Sequence, residues 1–418
     1  MESIKSYAKR IFANLKTFLK WVCIAVITGV IVGLFSIMFS MCLTWVTDFR
    51  DSHSYIVFLL PLAGCFIVFL YKIFNYSNNK GTNLVLSTIH ADGRLEFKMA
   101  PLIFISTVIT HLFGGSAGRE GAALQLGGSI GSKIADVLGL DEQDQHVVIM
   151  CGMSAAFSAL FGTPMAASIF AMEVVSVGVM YYAALVPCVF SALIASNFAA
   201  DMGINPESFK IKYIPDMTLE NSVKIIIIAL ACAALSVLFC MMLHGIGDLY
   251  RKYLKNPYVR IIVAGAAIAL IMLILGTDDY MGAGIPVIER AIAGEVNPLA
   301  FLLKMILTAL TLEAGFKGGE IVPSFFIGAT FGCIAGHILG ISPSLCAAVG
   351  MIALFCGVTN CPITSLLISF ELFGYRGVGY FMVAIAVSYL MSGYYGLYHD
   401  QTIVYSKYKA MYVNRKTR

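Results

Sequence analysis

Charged residues are scarce in this chain. Only 12% of its 418 residues are Asp, Glu, Lys or Arg, whereas soluble globular domains carry about 25%. This scarcity excludes an ordinary soluble domain. The net charge of +4 comes from basic residues that flank apolar segments. We therefore expect no nucleic-acid partner.

Cysteine motifs are absent as well. The chain has 11 cysteines, none of them in a C-x-x-C pattern, and most lie inside apolar segments, as do Cys151 and Cys240. Small apolar packing residues are the better interpretation of this scatter than metal ligands or a disulfide framework. We expect no metal site, no catalytic centre and no cofactor.

Long apolar stretches dominate the chain instead, and 59% of the residues are hydrophobic. Several stretches approach or exceed the roughly 20 residues that a membrane-spanning helix needs: 21–46, 56–74, 147–172 and 223–243. The first is longer than a signal-peptide core and lacks an A-x-A end, so it is not a cleaved signal. The pattern predicts an all-α polytopic membrane protein.

Basic residues set the predicted orientation. Segment 1–20 carries Lys and Arg at helix-like spacing with apolar residues between them, which predicts an amphipathic helix on the cytoplasmic surface. Basic residues also follow Tyr398 and occupy the loop 245–260. Because cytoplasmic loops carry the excess of Lys and Arg, we expect both termini and this loop to be cytoplasmic.

Three pairs of motifs recur at nearly one offset, which indicates an internal duplication. Gly81-Thr-Asn-Leu-Val has its mate 201 positions later, Gly118-Arg-Glu has its mate 200 later, and the Pro164 to Glu173 segment has its mate 198 later. We predict four units: the amphipathic helix 1–20, a first membrane repeat 21–210, a second membrane repeat 211–400, and a cytoplasmic basic tail 401–418. No regulatory domain is expected after the membrane region.

Many apolar segments in both halves are short or interrupted by Gly and Pro. Such paired interruptions predict a substrate site near the membrane midplane, where the N-termini of broken helices converge. Helix N-termini expose free N–H groups and partial positive charge, so they bind anions. Residues 114–131 contain seven glycines and lead into a helical segment. Because glycine lets an ion approach the backbone, this segment is the strongest candidate for an anion site.

The motif Gly118-Arg-Glu-Gly resembles the G-R/K-E-G-P motif of CLC transporters and channels, and the resemblance covers nearly the whole chain. The other motifs depart from the chloride pattern. Gly81-Thr-Asn-Leu-Val stands in place of G-S-G-I-P, and Gly319-Glu-Ile-Val-Pro stands in place of G-x-F-x-P. These variants resemble the bacterial CLC-type fluoride/proton antiporters. The resemblance implies a CLC-like inverted repeat of broken and tilted helices, assembled as a homodimer.

The resemblance also implies roles for individual residues. Glu120 takes the position of the gating, proton-carrying glutamate, and Glu320 that of a second proton glutamate. The implied anion-binding residues are Thr82, Asn83, Gly118, Arg119, Gly121, Ile321 and Tyr398. The inner proton glutamate of chloride/proton exchangers is replaced by Val174, so a proton needs another inner route. Two carboxylates near one anion cannot both be charged without cost, so a protonated Glu320 would offer fluoride a hydrogen-bond donor.

Simpler interpretations stand beside these roles. Glu120 could merely complement a helix dipole, and Glu320 could be a hydrogen-bonded buried acid. Thr82 and Asn83 could cap a helix, and Tyr398 could be an interfacial aromatic residue. Arg119 suits a positioning role as well as anion attraction. For Glu173 and Glu371, which are repeat mates at helix ends, a structural role is the better prediction.

The expected function is export of fluoride in exchange for protons across the bacterial plasma membrane. The alternatives are a chloride/proton antiporter or a proton-independent chloride channel of the same superfamily. From another class, Gly114-Gly-Ser-Ala-Gly fits the G-x-S-x-G hydrolase motif with His111 nearby. That motif needs a strand–turn–helix context, which a helical membrane chain does not provide.

Overall fold

The computed structural model describes residues 2–76, 81–90 and 95–417. The first half of this part contains eight α-helices: α1 (Glu2–Ser52), α2 (Leu60–Ile73), α3 (Thr82–His90), α4 (Met99–Leu112), α5 (Glu120–Val137), α6 (Glu142–Phe161), α7 (Pro164–Glu173) and α8 (Leu185–Asp201). The second half contains eight more: α9 (Leu219–Tyr253), α10 (Pro257–Leu275), α11 (Ile285–Ile292), α12 (Ala300–Ala314), α13 (Ile321–Leu339), α14 (Pro343–Thr359), α15 (Pro362–Phe373) and α16 (Val378–Met391). Two short 3₁₀ helices, Ser54–Leu59 and Tyr182–Ala184, precede α2 and α8.

Helix lengths confirm the polytopic helical membrane architecture. Within the described residues, seven helical segments are long and apolar enough to cross a bilayer, and several others are too short to do so. The amphipathic segment predicted for 1–20 does not form a separate helix, since α1 runs without a break from Glu2 to Ser52. No Pro or Gly separates residues 1–20 from the apolar run that follows, so helical hydrogen bonding continues through the junction.

Corresponding helices of the two halves pack in the same way. In the first repeat α5 packs closely on α6, and a Cβ on Gly127 would collide with the carbonyl oxygen of Gly152. In the second repeat α13 packs on α14, and a Cβ on Gly328 would collide with the carbonyl oxygen of Gly350. Such small residues let membrane helices approach closely where no water drives them together.

Two glutamates connect the repeats reciprocally. Glu173 at the end of α7 accepts hydrogen bonds from Ile363 N (3.1 Å) and Thr364 N (2.8 Å) at the start of α15, and from the Thr364 hydroxyl (2.6 Å). Glu371 near the end of α15 accepts from Met165 N (2.8 Å) and Ala166 N (2.9 Å) at the start of α7. Each carboxylate therefore caps the other repeat's helix, which agrees with the predicted structural role.

The C-terminal segment departs from the prediction of a separate basic tail. Three strands, β1 (Ser176–Val177), β2 (Thr402–Tyr405) and β3 (Tyr412–Lys416), form a sheet in the order β1-β2-β3. Strand β2 pairs in parallel with β1 and antiparallel with β3. Residues 401–417 are thus folded onto the membrane region, and the helical fold carries this small sheet in addition.

The long helices fix the two sides of the protein. Helix α9 ends at Tyr253 beside the basic residues of 251–260, and α10 begins there at Pro257. We call this end the basic side. Helix α10 crosses to the opposite side, where the segment after Leu275 meets the end of α1 through a hydrogen bond from Ser54 to Asp278 (3.0 Å).

Candidate functional site

The two repeats meet at a pair of glycines. Gly118 N donates to Gly319 O and Gly319 N donates to Gly118 O, both at 2.8 Å, in an isolated antiparallel bridge. These glycines lie two residues before α5 and α13, so the two helix N-termini face one region from opposite repeats. The convergence of broken helices predicted from the repeats is confirmed. Gly121 lies so close that a Cβ on it would be 3.0 Å from the Gly319 Cα.

Glu120 is the first residue of α5 and is fully buried. Its Oε2 accepts a hydrogen bond from Arg119 N at 3.0 Å, and Val322 of the second repeat adds a backbone N–H to its surroundings. Its Oε1 accepts no hydrogen bond from the described residues. The carboxylate therefore occupies the region in which the free N–H groups of both helix N-termini lie, which is where an anion would bind.

Glu320 is the N-cap residue of α13 and lies across from α5. A Cβ on Gly121 would be 3.2 Å from Glu320 Oε2 and 3.1 Å from the hydroxyl of Thr82. Because Gly121 has no side chain, an acid from the second repeat and a hydroxyl from α3 approach the first-repeat backbone at one place. The Oε2 of Glu320 is buried without a hydrogen-bond partner among the described residues.

Thr82 is held by α5. Its hydroxyl donates to Gly121 O at 3.3 Å, and the Gln125 amide donates to the Thr82 hydroxyl at 3.4 Å and to Gly121 O at 3.1 Å. Gln125 was missed by sequence reasoning, although it lies one helical turn after Gly121 and therefore on the same face of α5. These bonds orient the start of α3 toward the two carboxylates.

Tyr398 reaches the same region from the C-terminal segment. It is 1% exposed, its hydroxyl has no hydrogen-bond partner among the described residues, and both Glu120 and Glu320 lie within electrostatic range. The Thr417 hydroxyl donates to Tyr398 O at 2.5 Å, so the sheet helps to position this tyrosine. Asn83 does not join the carboxylates: its Oδ1 accepts from Asp400 N at 3.1 Å and ties α3 to the Tyr398 segment.

Arg119 links the site to a cavity on the side opposite the basic side. Its Nε lies 3.6 Å from Glu120 Oε1, and its Nη2 lies 3.0 Å from Glu207 Oε1. The cavity, of about 530 Å³, has both repeats in its wall. We call it the vestibule; its charged and polar lining includes Arg50, Asp51, His111, Arg119, Glu207 and Asp278. It is an approach from that side toward Glu120.

Two buried cations beside the vestibule were missed by sequence reasoning. Arg50 donates to His111 O at 3.1 Å. Lys304 is fully buried and donates to Tyr280 O (3.2 Å) and Gly282 O (2.6 Å), so it holds the repeat mate of the first motif. A lysine inside the apolar stretch of α12 was the available signal, since an intramembrane charge is expensive and usually has a partner.

The serine motif does not form a hydrolase site. The Ser116 hydroxyl lies 3.3 Å from the Thr308 hydroxyl, whereas His111 Nε2 lies 3.3 Å from Gly118 O. A nucleophilic serine needs a hydrogen bond to its base, and these two side chains are engaged elsewhere. The glycines of this segment serve the contact between the repeats.

Comparison with known proteins agrees with this geometry. Residues 63–393 match the family described as voltage gated chloride channel, and the match spans most of the chain. The chain belongs to the CLC family. The chloride/fluoride channel protein of Pseudomonas syringae pv. tomato is similar to this CLC chain, with 33% identity over 396 residues that cover 93% of this chain and 88% of that protein.

Other CLC proteins are similar at greater distance or in structure. A solved CLC-type fluoride/proton antiporter has a TM-score of 0.88 and 30% identity, covering 92% of this chain and 98% of that one. The H(+)/Cl(-) exchange transporter ClcA of Yersinia pestis is 23% identical over 393 residues, covering 85% of this chain and 81% of that protein. A slow cyanobacterial Cl-/H+ antiporter shares the fold, with a TM-score of 0.76 at 17% identity.

Proposed function

We propose that this CLC protein is a secondary active transporter that exports fluoride in exchange for protons. The observation that carries the proposal is the meeting of Glu120 and Glu320, one acid from each repeat, at a single pair of helix starts. A chloride pathway needs no second acid there. The similarity to a chloride/fluoride channel protein and to a fluoride/proton antiporter supports the same choice.

The anion would bind mainly to backbone N–H groups. Gly121 and Ile321 lie in the first turns of α5 and α13, where backbone N–H groups are free and the helix dipoles favour negative charge. The N–H of Gly118 is already bonded to Gly319 O, so Gly118 contributes the close approach of the two repeats rather than a donor. Tyr398 adds a hydroxyl that has no hydrogen-bond partner among the described residues, and the Thr82 hydroxyl would add a second donor on turning from Gly121 O toward the anion. We propose that Arg119 attracts the anion from the vestibule, and that Asn83 acts by holding the Tyr398 segment.

The proton would travel on the two carboxylates. A charged Glu120 occupies the anion's region, and protonation removes the charge that holds it at the helix starts. A protonated Glu320 can donate a hydrogen bond to fluoride, which is a strong acceptor, while Glu120 is charged or displaced. Because two neighbouring carboxylates avoid being charged together, binding of an anion and binding of a proton become coupled.

We further propose the setting in which this exchange occurs. The chain is a multi-pass membrane protein, and the basic loop and basic termini favour a cytoplasmic location for the basic side. The vestibule then opens to the exterior of the bacterial plasma membrane. A homodimer with one pathway in each subunit rests on the family resemblance.

Purified protein in liposomes tests the proposal. Vesicles loaded with fluoride or with chloride are diluted into anion-free buffer, and anion efflux and proton uptake are recorded together. We expect faster efflux of fluoride, with protons driven uphill by the fluoride gradient. Equal chloride efflux with proton uptake would favour a chloride/proton antiporter, and anion efflux without proton movement would favour a channel.

A further inference from the structure

Glu313 is an acid in the membrane region to which the mechanism so far gives no task. It lies in the last turn of α12, and a Cβ on Gly247 of α9 would collide with its Oε2. The absence of a side chain at Gly247 therefore makes room for the carboxylate between two helices. Glu313 is half-buried, and an ionisable group within a membrane region is expensive and therefore usually functional.

The position of Glu313 is on the basic side. Arg260 at the start of α10 donates to Ala314 O at 3.1 Å, one residue beyond Glu313. Arg251 of α9 lies near the same glycine, and its side chain is 64% exposed and paired with Asp248 at 2.7 Å. Glu313 therefore lies close to Arg251 and Asp248, whose side chains contact water.

Lys317 lies between Glu313 and the central site in the chain, in the segment that joins α12 to α13. Its Nζ lies 4.7 Å from the centre of the Tyr71 ring, and its backbone N donates to the Thr110 hydroxyl at 3.1 Å. The carboxylates of Glu313 and Glu320 both lie close enough to its ammonium group to attract it electrostatically. The order from the site to the basic side is therefore Glu320, Lys317, Glu313 and Arg251.

Glu173 is not free for proton exchange, although it precedes the position at which chloride/proton exchangers carry their inner proton glutamate. Val174, which follows Glu173, is an apolar residue with no exposed surface. Glu173 itself is committed to three hydrogen bonds at the start of α15. In contrast, the Glu313 carboxylate accepts no hydrogen bond from the described part of the chain, so no fixed donor holds it in one protonation state.

We infer that Glu313 exchanges protons between Glu320 and the water on the basic side, with Lys317 stabilising the charge between them. The inference rests on the proposed fluoride/proton exchange. In the inward step a proton leaves the Glu320 carboxyl and, carried by water, joins the Glu313 carboxylate. Glu313 then releases it to water beside Arg251, and Lys317 remains an ammonium ion throughout.

A purely structural role for Glu313 makes a different prediction. Several titratable groups face this carboxylate from the neighbouring elements, namely Asp248, Tyr250 and Arg251 on α9, Arg260 on α10, and Lys317. If Glu313 only balances the cations, then removal of the neighbouring acid Asp248 should have a comparable effect. If Glu313 carries protons, then only its own titration matters.

The experiment compares Glu313→Gln, Glu313→Asp and Asp248→Asn with wild type in liposomes at matched reconstitution. We expect Glu313→Gln to lower coupled turnover about tenfold, to raise the ratio of the rates in H₂O and D₂O, and to leave equilibrium fluoride binding unchanged. Glu313→Asp should restore most of the rate, and Asp248→Asn should resemble wild type.

Each outcome decides the inference. Wild-type turnover and isotope ratio in Glu313→Gln would overturn it while fluoride/proton exchange stands. Equal losses in Glu313→Gln and Asp248→Asn would overturn it in favour of charge balance. Loss of fluoride binding in Glu313→Gln without rescue by Asp would assign Glu313 a structural role. Absence of proton movement in wild type would overturn both the inference and the proposed function.

Discussion

Arg50 lies near the end of α1 in the first repeat, and Arg251 lies 201 positions later, near the end of α9 in the second. Arg50 is buried and donates to the carbonyl oxygen of His111 in α4. Arg251 is largely exposed and lies near Glu313 in α12. The two surroundings lie on opposite sides of the protein, and they are chemically unlike.

The two repeats also differ in the residues beside the central acids Glu120 and Glu320. On the vestibule side Arg119 separates Gly118 from Glu120, whereas at the corresponding place in the second repeat Gly319 separates Gly318 from Glu320. The vestibule side thus presents an arginine beside its central acid, and the basic side presents Lys317 and Glu313 at greater distance. Duplication preserved the backbone that brings two helix starts together, while side-chain changes made the two approaches unequal.

Unequal approaches suit an exchanger, because an anion and a proton need different groups. Arg119 beside the central acid favours an approaching anion at short range, although five acids and two arginines line the vestibule. A carboxylate close to water favours proton exchange. If the first repeat mainly guides the anion and the second mainly guides the proton, substitutions in the two repeats should have unequal effects.

The largest effect is expected from Glu120→Gln. The amide mimics the protonated acid and removes the titratable group, so we expect fluoride-driven proton uptake to disappear. The measurement is proton uptake into liposomes under a fluoride gradient, with equilibrium fluoride binding as the folding control. Unaltered proton uptake would remove Glu120 from the mechanism and leave only the second-repeat acid.

Glu320→Gln is expected to slow coupled exchange by about tenfold or more. An amide can still donate a hydrogen bond to an anion, yet it cannot pass a proton inward. Fluoride and proton fluxes should therefore fall together, in contrast to a variant that only weakens anion binding. Wild-type fluxes and coupling in this variant would make Glu320 a structural buried acid.

Glu173→Gln and Glu371→Gln are expected to lower stability and to leave coupling intact. Each replacement weakens the charge-assisted capping bonds between α7 and α15, at a cost of about 1–2 kcal/mol. The check is a lower unfolding temperature in detergent together with an unchanged number of protons moved per fluoride. A changed ratio in Glu173→Gln alone would return that residue to the proton route.

The smallest effect is expected at two equivalent N-caps. Asp141 accepts from Asp144 N (2.8 Å) at the start of α6, and Ser342, 201 positions later, accepts from Leu345 N (3.3 Å) at the start of α14. Either residue changed to Ala should cost about 1 kcal/mol of stability without altering transport. Thermal unfolding and fluoride efflux of both variants provide the measurement, and a transport defect in either would contradict a purely structural equivalence.

The sequence by itself determined the membrane class, the duplication and the central pair of acids. Composition indicates the membrane class, because a bilayer excludes charge. The common offset of about 200 positions indicates the duplication, and the glycine-flanked motifs around Glu120 and Glu320 indicate the pair of acids. These features are local in sequence or repeat in it, so pattern alone reveals them.

Only the tertiary structure decided which distant groups meet. The hydrogen-bonded pair of Gly118 and Gly319, the reciprocal caps of Glu173 and Glu371, and the folding of residues 401–417 onto β1 each join segments far apart in the chain. Glu313 carries no motif of its own. Its significance depends on Gly247 leaving space for it and on Lys317 lying near it and near Glu320. Such proximity depends on helix packing, which sequence spacing does not encode.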